Sequence, residues 1–124
     1  MSKCATSVFV FGVYLVLLGL CLIIVPNLLL RAFGLAATAE VWIRVVGILV
    51  LCLAYYYVQA ARRELVDFFL WTVIVRGFVF SCFALFAVLG LAQPPLALFG
   101  AVDLLGAIWT GMCLRRRQAA RTTA

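Results

Sequence analysis

Three charged side chains stand inside stretches that are otherwise apolar: Arg44, Arg76 and Asp103. A guanidinium donates five N–H groups in a fixed fork and a carboxylate only accepts. The set therefore suits either an ion pair or a pocket for a molecule carrying acceptor oxygens. Charge inside a membrane-spanning segment is costly, is normally paired, and marks a functional site by default. Arg44 follows Glu40 by four residues, the favourable order for pairing along a helix, with Trp42 between them at the level of an aromatic belt. Thr110 falls on the helical stripe of Asp103 together with Gly100, Ala107 and Gly111. The candidate ligand-binding residues are thus Arg44, Arg76, Asp103, Trp42 and Thr110. The candidate structural ion pairs are Arg76 with Asp103 and Glu40 with Arg44.

Other chemistry is missing from the sequence. There is no histidine, which removes bis-His haem ligation, His-based zinc sites and the usual proton shuttle. The five cysteines, Cys4, Cys21, Cys52, Cys82 and Cys113, form no C-x-x-C pair, so neither a disulfide scaffold nor a thioredoxin-type centre is supported. Small, weakly polar thiols sit comfortably among packed helices. With no cofactor motif, no metal-ligand set and no catalytic constellation, the sequence points away from an enzyme and calls for no cofactor.

The elements that carry these residues follow from composition. In 124 residues, 69% of side chains are hydrophobic and 11% charged, far from the mix of a soluble domain. The expected architecture is all-α: a single four-span transmembrane domain over residues 1–124, an antiparallel up-down bundle with spans at about 8–25, 41–61, 68–91 and 96–114. Gly12 and Gly19 share a face of the first span and invite close approach of another helix. Pro26 and Asn27 end that span. The LLLRAFGL stretch after them suits a short interfacial segment with Arg31 reaching the headgroups. Tyr55, Tyr56 and Tyr57 mark the far interface of the second span, and Gln93-Pro94-Pro95 forces a turn before the fourth. Ala37-Thr38-Ala39 has the form of a signal-peptide cleavage site, but it lies too far beyond the first apolar run, which is expected to be retained.

The net charge of +6 comes from cations at span ends rather than from a basic face, which argues for anionic lipid and topology signals over nucleic acid. Lys3, Arg62, Arg63, Arg115, Arg116, Arg117 and Arg121 fall on one side of the membrane, and Arg31 on the other. The positive-inside rule then places both termini in the cytoplasm of a cell with an inner (plasma) membrane. Counting helical rise, Arg76 lies roughly 12 Å above the inner end of its span and Asp103 roughly 10 Å below the outer end of its own. In a slab of about 30 Å the two depths overlap.

Three stretches carry a resemblance: LGLCLIIVPNLLLRAFGL, with its Pro followed by FG, then WIRVVGILVLCLAYYY, and the late acidic residue in GAVDLLGAIW. The chain resembles small four-helix bacterial integral membrane proteins of the DoxX-like kind, most of them uncharacterised. That resemblance implies a link to respiratory or thiol redox systems. Three functions are left open: a non-catalytic accessory or scaffold protein of a larger membrane complex or homo-oligomer; a protein that binds or transports a small anionic or amphipathic molecule, quinone- or lipid-like, at Arg44, Arg76 and Asp103; and a subunit of a membrane redox system. The topology is checked by fusion to a reporter active only outside the cytoplasm. Signal is expected after Ala39 and Gln93 and none after Arg63 or Ala124; signal at Ala124 would overturn the four-span arrangement.

Overall fold

The computed structural model describes residues 2–91 and 96–123, among which there is no strand. Five helices follow in order: α1 (Lys3–Ile24), α2 (Pro26–Ala32), α3 (Trp42–Arg62), α4 (Val66–Val88) and α5 (Leu96–Thr123). All but α2 are long and apolar enough to cross a membrane, so the chain is a multi-pass helical bundle, as the composition predicts. The Gln93-Pro94-Pro95 turn lies outside the described residues.

Local chemistry sets the boundaries. α1 begins at Lys3, ahead of the apolar run, because the Ser2 hydroxyl accepts the Ala5 N–H at 3.1 Å and caps the helix. Val25 leaves the helical region with φ −132°, and Pro26 restarts the chain as the first residue of α2, where no N–H is needed. The fourth spanning helix, α5, extends beyond the span expected at about 96–114. It runs through the basic tail to Thr123, since Arg, Gln and Ala are all strong helix formers.

Helices α2, α3 and α4 end alike, in a left-handed residue flanked by the paired backbone bonds of a Schellman cap. Gly34 and Gly90 fill that position after α2 and α4, whereas Glu64, at φ 50°, fills it after α3. The carboxylate has a use there: its Oε1 accepts the Ser2 N–H and ties the start of α1 to the α3–α4 connection. That bond, with Arg117 nearby, lowers the Glu64 pKa below its ordinary value.

The bundle consists of two hairpins. α1 packs along α3, α4 packs along α5, and α1 joins the hairpins by meeting α5 and, more briefly, α4. Close approach in the first hairpin depends on glycine. Cβ atoms added at Gly12 and Gly19 would both press on α3, and one at Gly47 would stand 3.0 Å from the Gly19 carbonyl oxygen and 2.8 Å from Ile23 Cγ1. The core gathers Ala5, Val8, Phe11 and Leu15 of α1 with Ala54, Tyr57 and Ala60 of α3 and Phe69 of α4. Leu70, Ile74 and Phe78 of α4 lie exposed on the outside, as lipid-facing residues do.

Overpacking a close seam costs about 1–3 kcal/mol. Gly47→Val should therefore lower the thermal stability of the detergent-solubilised protein. Gly77 has open space where its Cβ would go, so Gly77→Ala should raise stability by about 0.5–1 kcal/mol through helix propensity alone. A Gly47→Val variant as stable as the parent would refute the seam.

Candidate functional site

The buried face of α4 consists of Phe69, Thr72 and Arg76, spaced three and four residues apart so that all three point at the junction of the hairpins. Arg76 is 2% exposed and is the largest fully buried side chain. Its Cζ lies 3.7 Å from the centroid of the Phe11 ring and 5.0 Å from that of Tyr57. Its Nε donates to the Tyr57 hydroxyl at 3.4 Å, and that hydroxyl is also bonded to Thr72 Oγ1. Its Nη1 lies against Gly106 of α5, where a Cβ would come within 2.8 Å. A larger residue there would displace the guanidinium from its present position. Among the described residues, Nη1 and Nη2 are both buried and have no hydrogen-bond acceptor.

Asp103 is half-buried on α5, three residues before Gly106 and so one turn from the guanidinium. Arg76 and the Tyr14 phenol lie within its electrostatic reach. The structure thus places Asp103 one helical turn from the Arg76 guanidinium, and the hydrogen-bonded pair expected from the sequence is not made. Aromatic faces hold the cation from α1 and α3 while the carboxylate stays a turn away on α5.

The other candidates are placed elsewhere. Arg44 is exposed at the start of α3 and donates from Nη1 to the Ile23 carbonyl, not to Glu40. Ile23 lies in the last turn of α1, where carbonyls lack helical partners, so this cation caps a helix end. Arg44 and Glu40 line a cleft of about 330 Å³ with Asn27, Thr38 and Ile43, separate from Arg76. Trp42 is 68% exposed. Thr110 is fully buried two turns from Asp103 and bonded to Ser7 Oγ at 2.9 Å. Because the single Ser7 proton goes to the Cys4 carbonyl, Thr110 is the donor.

Phe11, Tyr57 and Gly106 complete the site, and none of the three is among the residues that charge and spacing single out. By sequence Tyr57 groups with Tyr55 and Tyr56 as an interface marker, yet it is 7% exposed while the other two lie on the surface. Successive helical residues turn by about 100°, so three tyrosines in a row cannot share one environment, and that signal was available. Cys4 and Cys113, from opposite ends of the chain, are also brought side by side. No protein-family model, curated protein or solved structure matches the chain.

The Tyr57 hydroxyl is the hydrogen-bonding partner of the Arg76 Nε and joins it to Thr72. Tyr57→Phe leaves both groups buried without it, a loss of about 1–3 kcal/mol. Tyr56→Phe, on the exposed face, should stay within about 0.5 kcal/mol of the parent in the same thermal measurement. Equal effects would remove Tyr57 from the site.

Proposed function

We propose that the chain is a small, non-catalytic accessory protein of the bacterial inner membrane, with both termini cytoplasmic, that holds an anionic or amphipathic molecule by its acceptor oxygens at Arg76. The observation that carries this is the pair of buried Nη groups without an acceptor. A desolvated contact of a cation with an aromatic face contributes about 2 kcal/mol. Each buried donor left unmade costs about 1–3 kcal/mol, so the Phe11 contact alone does not offset the deficit. A carbonyl, carboxylate or phosphate oxygen entering between the hairpins supplies the acceptor, and Asp103 beside it receives a hydroxyl or balances the cation.

A quinone or lipid-like molecule has the required form, with acceptor oxygens on an apolar body that matches the walls formed by Phe11 and Tyr57. A quinone occupant sets the protein beside a membrane redox system, which is also what the resemblance to DoxX-like proteins implies. The partners of this reading are the bilayer, the bound molecule, and a larger membrane complex or further copies of the chain; nucleic acid is not among them. A second reading, a scaffold in which Arg76 and Asp103 only fix how the hairpins dock, is favoured by a different observation: the clefts at the two ends of the bundle are not lined by Arg76.

Mass spectrometry of organic extracts from protein purified in mild detergent separates the two. A quinone- or lipid-like molecule near one per chain is expected from the parent, with loss of at least ten-fold in Arg76→Leu and in Arg76→Lys, which keeps the charge without the fork. If the parent carries no such molecule, and the double change Arg76→Leu with Asp103→Leu matches it in stability and phenotype, the binding reading fails and the scaffold stands.

A further inference from the structure

At the opposite end from Arg44, α1 and α5 enclose a cleft of about 270 Å³ lined by Lys3, Thr6, Trp109, Met112, Cys113 and Arg116. On α5 these residues fall at positions i, i+3, i+4 and i+7, one continuous stripe, and Lys3 and Thr6 form the facing stripe on α1. Chemistry changes along the cleft. The two cations lie at the end nearer the basic tail, and Met112 and Trp109 continue inward for about 10 Å toward the middle of the bundle. Lys3 and Arg116 are exposed, and Trp109 and Met112 are 46% and 50% exposed, so the apolar wall is open along with the charged mouth.

No carboxylate lines the cleft. Glu64, near the α1 start, is already bonded to the Ser2 N–H. Lys3 and Arg116 therefore offer donors without a competing acceptor among the lining residues.

We infer that this cleft is a binding site for one anionic phospholipid, with Lys3 and Arg116 holding the headgroup phosphate and Met112 and Trp109 receiving the first acyl segments. Charge and apolarity are arranged along the cleft in the order a phospholipid presents them, with the head toward water and the chain toward the bilayer centre. Arginine engages phosphate through its fork and lysine as a point charge, a pairing suited to a diester with two free oxygens. Thr6 donates its hydroxyl proton to the Ser2 carbonyl, so it shapes the wall and leaves anchoring to the cations. This site stands apart from Arg76 and does not depend on what that residue binds.

Native mass spectrometry of the full chain in mild detergent, titrated with phosphatidylglycerol and phosphatidylcholine of the same acyl chains, tests the assignment. The parent should retain phosphatidylglycerol in preference to phosphatidylcholine. A basic residue near an anionic lipid surface is worth about five-fold in binding, so Lys3→Gln with Arg116→Gln should reduce that preference about thirty-fold. Arg115→Gln with Arg121→Gln removes the same charge from α5 outside the cleft and should change it less than about two-fold. Trp109→Ala should weaken retention of both lipids while keeping the preference between them. No preference in the parent, or equal loss in the two double variants, overturns the proposal, because the attraction is then absent or spread over the whole basic end. Displacement of phosphatidylglycerol by millimolar inorganic phosphate also overturns it, in favour of a free-anion site.

Discussion

The stacking of the Arg76 guanidinium on the face of Phe11 is the contact that brings a buried cation of the second hairpin onto the first. A guanidinium is planar and weakly hydrated compared with an ammonium, so it tolerates an aromatic face better than a lysine would. Phe11 comes from α1, Tyr57 from α3, Thr72 and Arg76 from α4, and Gly106 from α5. All four spanning helices therefore meet around one cation. α1 meets α5 more extensively than α4, and this cluster adds the α4 contact to the α1–α5 seam that joins the hairpins.

Much of the fold was legible because apolar runs of membrane-spanning length are a strong signal and short connections leave few topologies. The interior charges were legible for the same reason, since Arg76 and Asp103 interrupt runs that lipid would otherwise solvate. What the sequence did not disclose was how the arginine is held. Pairing rules favour carboxylates, and nothing in spacing marks Phe11 among ten phenylalanines as the ring beneath a cation. Arg44 misled for a related reason. Distance along its own helix suggested Glu40, whereas the deciding acceptor was the unpaired Ile23 carbonyl on a neighbouring helix. The basic tail continues the helix beyond the last apolar residues, because charge ends the hydrocarbon and not the helix.

Polar groups inside the bundle form three levels along α5: Thr110 bonded to Ser7, Gly106 receiving Arg76, and Asp103 close to Tyr14. The lowest level is fully satisfied and belongs to packing. The middle one has donors without acceptors, and the upper one has an acceptor near them. Ser7 and Thr110 thus stand between the donors of Arg76 and the basic end of α5, where the cleft at Lys3 and Arg116 opens.

The glycine seam between α1 and α3 also bears on how the chain enters a bilayer. Both helices of that seam precede α4 in the sequence, so during synthesis they reach the membrane first and can close on one another through Gly19 and Gly47 without waiting for the rest. Phe11 and Tyr57 both belong to that earlier pair, and Arg76 to the helix that follows it in the chain. The cation that lipid alone would accept poorly is therefore received by rings from the two spanning helices that precede it.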